Sequence, residues 1–234
     1  MAKHVIAVVS KDDKFCLQEQ DVEGVEYVKV PGNKERLATV YNRLIEEHKD
    51  ADYLYLMHAD VQLDVEGLTK HVESVAGKYD LIGLCGCQKI NVSQTPLNWF
   101  CGSIPFPDFR WGCVTHGELG GETSFFNRMN PETTDSEVAC IDGLCIIFTK
   151  KAIDSGLRFD ENLGMYDMYD TDISFQAILN FKLKVGVVVR KDLSHFSVGK
   201  SILTKEFYET EKKFREKWGF PQVKNPKFEP EAVK

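Results

Sequence analysis

The 234-residue chain has no apolar run longer than a strand. Its most apolar stretches, such as Val5 to Val9 and Ile141 to Phe148, fall far short of the roughly 20 residues that cross a bilayer, so no transmembrane segment is expected. Positive charge is also scarce. Lys and Arg total 29 against 36 Asp and Glu, a formal charge of −7 with no basic cluster, which argues against nucleic acid as a partner. Met1-Ala2-Lys3-His4 leads straight into a short β-like run without a signal peptide's apolar region and cleavage site, so export is not expected. Internal repeats and low-complexity tracts are missing. Seven cysteines, at 16, 85, 87, 101, 113, 140 and 145, are an odd number in a chain too long to need staples; reduced thiols and a cytoplasmic location follow as expectations.

What is present is globular usage, 43% hydrophobic and 28% charged, with no composition break at which to cut the chain. One domain is expected over 1–220, with a flexible tail over 221–234 that carries Pro221, Pro226 and Pro230. Strands are predicted at His4 to Ser10, Val25 to Val30, Tyr53 to Met57, Asp80 to Cys87, Glu137 to Phe148 and Lys184 to Val189. Leu37, Val40, Tyr41, Leu44, Ile45 and His48 form one helical stripe on a segment from about Asn33, its predicted N-cap, to Lys49. Further helices are predicted at Val65 to Ala76, Asp172 to Phe181 and Thr204 to Trp218, with a short one possible between the first two strands. This alternation predicts an α/β fold: a mainly parallel sheet flanked by helices. The stretch from Gln88 to Pro131, with Pro96, Pro105, Pro107 and many aromatics, reads as a long irregular excursion of functional character.

Three clusters could carry chemistry. His58 and Asp60 leave the carboxyl edge of the third strand, the edge where open α/β sheets place ligands, and their i, i+2 spacing in extended chain puts both on one face. They could share a cation or a phosphate; equally, Asp60 could cap a turn and His58 be a satisfied edge histidine. Between Phe159 and Asp172 five acids are interleaved with Tyr166 and Tyr169, which suits a ligand bearing hydroxyls as well as it suits helix capping by Asp170 or Asp172. His195 stands in the small-residue loop Ser194-His195-Phe196-Ser197 after the last strand. With Asp60 it would suit Mn2+ or Mg2+ if a diphosphate completed the shell.

Taken together these residues resemble the family 2 glycosyltransferases of GT-A fold, in particular a compact bacterial branch with a strand ending in His-x-Asp-Val. The matching pieces run over roughly residues 4 to 200: the opening strand with Ser10, Leu37 to Asn42, Tyr53 to Val61, Ile141-Asp142-Gly143, Arg158 to Glu161, Tyr169-Asp170-Thr171-Asp172 and Ser194 to Ser197. The resemblance implies a GT-A, Rossmann-like sheet with a smaller antiparallel excursion. It implies a metal-dependent glycosyltransferase that moves a sugar from a nucleotide-sugar donor to an acceptor hydroxyl with Mn2+ or Mg2+ as cofactor, inverting because a single carboxylate base takes the proton of an acceptor hydroxyl that attacks in line. By the same resemblance Asp60 and His195 are metal ligands and Asp170 is the general base. Ser10, Asn42, His58 and Asp142 are then donor- or acceptor-binding; Trp111, from its aromatic ring, and Asp172, which could equally cap the helix or hold a neighbouring loop, join them as candidates. His58 and Tyr169 depart from the acids of the commoner motifs. A glycan or lipid-linked acceptor is implied, with the enzyme cytoplasmic or peripheral to the inner face of a membrane.

Two other classes fit less well. A nucleotidyltransferase would need a glycine-rich phosphate loop, and Ser10-Lys11-Asp12-Asp13-Lys14 has no glycine. A GT-A-like binding module without turnover is the non-enzymatic alternative. A four-thiolate zinc site from Cys85, Cys87, Cys140 and Cys145 is disfavoured because its pairs lie along strands; Trp99 and Trp111 suit a sugar face or loop packing equally.

Overall fold

The computed structural model describes residues 1–93, 95, 97, 110–117, 124–128, 134–197 and 204–222. Trp99, Cys101, most of the Gln88 to Pro131 excursion and nearly all of the expected tail lie outside the described residues.

β1 (His4–Val9) is buried at all six positions, as a β-branched run in the middle of a sheet must be. It runs parallel to β2 (Val25–Val30) on one side and β3 (Tyr53–His58) on the other, with Val9 level with both Val30 and His58. The carboxyl ends of three strands therefore share one edge. The even positions Ile6 and Val8 pack with Val65, Leu68 and Val72 of α2 (Val65–Ser74), while the odd positions Val5, Ala7 and Val9 pack with the Leu37, Val40, Tyr41 and Leu44 stripe of α1 (Leu37–Glu47). The period-2 and period-3.6 patterns thus make helical layers on both faces.

The main sheet is mixed rather than mainly parallel. Its order is β2, β1, β3, β11 (Cys145–Thr149), β5 (Leu81–Gly83), β12 (Val185–Val187) and β9 (Ser136–Glu137). β11 is antiparallel to both neighbours because the chain re-enters at the shared edge, where the amide of His58 donates to Leu144 O at 2.9 Å, and has only one way to run. A second sheet, largely antiparallel, is ordered β10 (Cys140–Ile141), β6 (Cys85–Cys87), β7 (Arg110–Gly117), β13 (Ser194–His195) and β4 (Val61–Gln62), with β8 (Ser124–Arg128) on β7.

Two single strands of the sequence reading are divided between these sheets. Asp80 to Cys87 breaks at Leu84 into β5 and β6, and Glu137 to Phe148 becomes β9, β10 and β11. Close packing causes the break: a Cβ on Gly83 would lie 2.6 Å from Ile141 Cβ, and one on Gly86 2.3 Å from Cys140 O. Asn33 does not cap α1. Its Oδ1 accepts the Glu35 amide at 3.0 Å in a local turn, and α1 starts at Leu37, whose amide donates to Met165 O at 3.1 Å. No helix forms between β1 and β2.

α3 (Lys150–Asp154) follows β11, and α4 (Tyr169–Phe175) begins three residues earlier than the sequence predicts. The chain enters α4 through Met168 in the left-handed region, φ 63°, and leaves it through a π-helical turn over Gln176–Asn180. α5 (Lys205–Trp218) starts at a Thr204 cap and stops at left-handed Gly219. Among the described residues no helix is long and apolar enough to cross a membrane.

Candidate functional site

The shared edge of β1, β2 and β3 delivers His58 and Asp60. Strand β13 pairs with β4 so that His195 stands opposite Val61, and the amide of Phe196 donates to Asp60 O at 2.8 Å. This pairing sets His195 Nε2 3.3 Å from Asp60 Oδ1. His58, Asp60 and His195 each offer a ligand atom, all within 4.8 Å of one another. Nδ1 of His195 is buried and without a hydrogen-bond partner among the described residues.

Charge is distributed unequally over this trio. Burial pushes the His58 imidazole down to about 4, against the pull of Asp60, so the ring is neutral near pH 7. Burial also opposes charge on His195, but the hydrogen bond and charge of Asp60 outweigh it and raise the imidazole above its ordinary value. Asp60 is correspondingly held below the usual carboxylate range. Two imidazoles and one carboxylate, with an orphaned buried nitrogen, are a donor set that fits a divalent cation. A third ring lies alongside: β7 pairs with β13 so that His116 is level with His195, ring centroids 5.2 Å apart.

Beside the trio opens a cleft of about 540 Å³, lined by Ser10, Lys11, Lys14, Asn33, Lys34, His58, Asp60 and Tyr166 among others. Its cations come from two loops, Lys11 and Lys14 after β1 and Lys34 after β2. Lys34 Nζ donates to Lys11 O at 3.0 Å, and Lys11 Nζ lies 4.4 Å from the centre of the Tyr166 ring. Ser10 shapes the first loop, its Oγ donating to Asp12 Oδ1 and Lys14 O at 3.0 Å.

A second pair of acids stands outside the cleft lining. Asp142 Oδ1 accepts the Leu144 amide at 2.8 Å in the β10 to β11 turn, and Asp170 Oδ2 accepts the Gly143 amide at 3.1 Å. Burial, then the neighbouring Asp142 charge, push the Asp170 carboxyl up to about 7. Burial first, then the charges of Asp60, Asp142 and Asp170, push the Tyr166 hydroxyl well above its ordinary value.

Three residues with expected binding roles are placed apart. Asp172 is fully buried and accepts Gln176 Nε2 at 2.7 Å, Lys217 Nζ at 2.8 Å and Trp218 Nε1 at 2.9 Å, so its carboxylate joins α4 to α5. Asn42 is engaged at both ends by the loop after α3, accepting the Phe159 amide at 2.8 Å and donating to Phe159 O at 2.9 Å. Trp111 Nε1 donates to Thr134 O at 2.9 Å and is absent from the cleft lining. Lys11, Lys14, Lys34 and His116 stand at the site without having been expected there. The lysines had a signal, flanking the ends of two adjacent parallel strands; His116 had none short of the β7 to β13 register.

Residues 19–218 match a glycosyltransferase like family. No curated protein matches the sequence. Among solved structures, A197 from STIV aligns at TM-score 0.42 and 12% identity over 82% of this chain and 83% of that one. GalNAc-T7, solved with UDP, GalNAc and Mn2+, aligns at TM-score 0.46 and 11% identity over 83% of this chain and 44% of that one.

Proposed function

The chain belongs to the glycosyltransferase-like family, and from that membership we propose that it transfers a sugar from a nucleoside-diphosphate donor to an acceptor hydroxyl, with inversion at the anomeric carbon, on a GT-A-type scaffold. The observation that carries this reading is that His58 and Asp60, which form a trio with His195, stand in the wall of the lysine-lined cleft. Lys11, Lys14 and Lys34 suit the diphosphate, and Ser10 shapes the loop beneath it. A divalent cation held by Asp60, His195 and His58 would neutralise the charge that develops on the departing diphosphate.

Asp170 is the base in this reading. A carboxylate pushed up to about 7 is matched to taking a proton near neutral pH, whereas an ordinary carboxylate is a weaker base. The amide of Gly143 fixes one of its oxygens. Asp142, adjacent to it, raises its basicity and stands where an acceptor or donor sugar could be bonded. A single base that takes the proton of the acceptor hydroxyl corresponds to direct displacement. The acceptor is a glycan or a lipid-linked hydroxyl.

The test is release of nucleoside diphosphate from a panel of uridine, guanosine, cytidine and thymidine diphosphate sugars with Mn2+, with and without acceptor extracts. One donor is expected to release its nucleotide, faster with acceptor. Binding without release of sugar from any donor contradicts transfer.

A further inference from the structure

His58 is gripped by tyrosines. Its Nε2 is hydrogen-bonded to Tyr169 Oη at 2.7 Å, and Tyr166 Oη lies 3.3 Å from the same nitrogen and 3.5 Å from Nδ1. Tyr169 is itself closely packed: 7% exposed, at the first position of α4, with its ring against Tyr41 and Phe159 at centroid distances of 6.0 and 6.1 Å. Its hydroxyl reaches His58 only because position 143 has no side chain. A Cβ there would lie 1.9 Å from Tyr169 Oη and 2.4 Å from Cζ.

We propose that Tyr169 is the positioning residue of the cation site: it holds His58 so that Nδ1 is the ligating atom, and the resulting set of two imidazoles and one carboxylate selects a first-row transition ion such as Mn2+ over Mg2+. This rests on the cation site of the proposed function and names the class of ion it takes. An imidazole that ligates through one nitrogen carries its proton on the other and donates it to an acceptor; Nε2–H donating to Tyr169 Oη at 2.7 Å meets that need and leaves Nδ1 the unprotonated nitrogen, with the weaker 3.5 Å contact of Tyr166 Oη for an ion to displace. Mg2+ binds through oxygen in strict octahedral geometry and dehydrates reluctantly, and this trio offers oxygen from Asp60 alone. Imidazole nitrogen instead suits the transition ions.

The test uses the full chain and the metals alone. Mn2+ binding is followed by loss of the free-ion electron paramagnetic resonance signal, and MgCl2 is titrated in as competitor. Displacement is expected to need at least about tenfold more Mg2+ than equal affinity would require. Tyr169→Phe, which keeps the ring and loses the acceptor, is expected to weaken Mn2+ binding about 10- to 100-fold with an unchanged circular dichroism spectrum. Gly143→Ala is expected to reproduce that loss by pushing the hydroxyl off His58, and it carries the test should Tyr169→Phe fail to fold. Wild-type Mn2+ affinity in both variants, or displacement by Mg2+ at equal concentration, overturns this inference while leaving a cation site in place. No Mn2+ uptake by the wild-type chain overturns the cation site and this inference together.

Discussion

Asp170 and Asp172 stand two residues apart on α4 and bond in opposite directions: Asp170 takes the amide of Gly143 at 3.1 Å, while Asp172 takes Lys217 and Trp218 of α5 at 2.8 and 2.9 Å. Two steps of about 100° separate their side chains by about 200°, so a single helix start serves two purposes. One face holds the proposed base beside Asp142. The other ties the site to the C-terminal helix.

Asp170→Asn is therefore expected to fold, keep its affinity for nucleoside diphosphate and lose about 10²- to 10⁴-fold in transfer rate. Asp172→Ala leaves Lys217 and Trp218 without their shared buried acceptor and is expected to cost about 2–4 kcal/mol of stability. Urea denaturation and initial rates separate the two, and a rate loss in Asp172→Ala without loss of stability contradicts the assignment.

The raised Asp170 carboxyl sets a pH dependence of known sign. Its folded value, about 7, lies above the unfolded value of about 3.9, so the folded state holds the proton more tightly. The stability this contributes is fully present below about pH 4 and is lost as pH rises through about 7. Melting temperatures of wild type and Asp170→Asn, measured from pH 4 to 8, are expected to diverge in the variant's favour as pH rises. The transfer rate follows the ionised form, so it should climb through about pH 7. A melting difference that is flat across this range removes the shift.

Lys11→Ala and Lys34→Ala are each expected to weaken nucleoside diphosphate binding about tenfold at low salt, the effect of losing one charge-assisted contact to phosphate. Lys78→Ala, a surface lysine whose Nζ lies 5.0 Å from the centre of the Tyr79 ring, serves as the control and should bind normally. Calorimetric titration at two salt concentrations measures both, and the differences should shrink at the higher one.

Arg215 and Glu211 form a pair 2.6 Å apart in which both side chains are 2% exposed. Glu211 also accepts the Leu97 amide at 3.0 Å, and Arg215 donates to Val92 O at 2.6 Å, so α5 anchors the start of the excursion. Arg215→Met leaves a buried unpaired carboxylate and is expected to cost about 3–5 kcal/mol. Limited proteolysis of the variant should cut first near residues 92–97. Cleavage elsewhere with wild-type stability contradicts the anchoring role.

The strand and helix patterns of the first third were legible in the sequence because they are local. β1 from Val5 to Val9 and β3 from Tyr53 to Met57 are hydrophobic runs, and the α1 stripe at i, i+3, i+4 and i+7 faces one layer. The direction of β11 and the division of two long strands were not legible, since they depend on contacts such as Gly83 against Ile141. At the site, Asp60 and His195 could be named from residue type and strand-end position, but their pairing is made by the β4 to β13 register. The bond between His58 and Tyr169 joins residues 111 apart in the chain. Asp172 was open to a ligand role and a structural one, because an acid near a helix start reads the same whether it faces a cleft or, as here, Lys217.

In the proposed function Asp60 anchors a cation that holds a nucleoside diphosphate in the lysine-lined cleft. Calorimetric titration of uridine, guanosine, cytidine, thymidine and adenosine diphosphates, with and without Mn2+, tests it in wild type and Asp60→Asn. For the preferred nucleotide Mn2+ is expected to raise wild-type affinity at least about tenfold, the removal of one charged ligand abolishing that gain while the melting temperature holds. Nucleotide binding that ignores Mn2+ in the wild type, or a Mn2+ gain that survives in Asp60→Asn, contradicts the account.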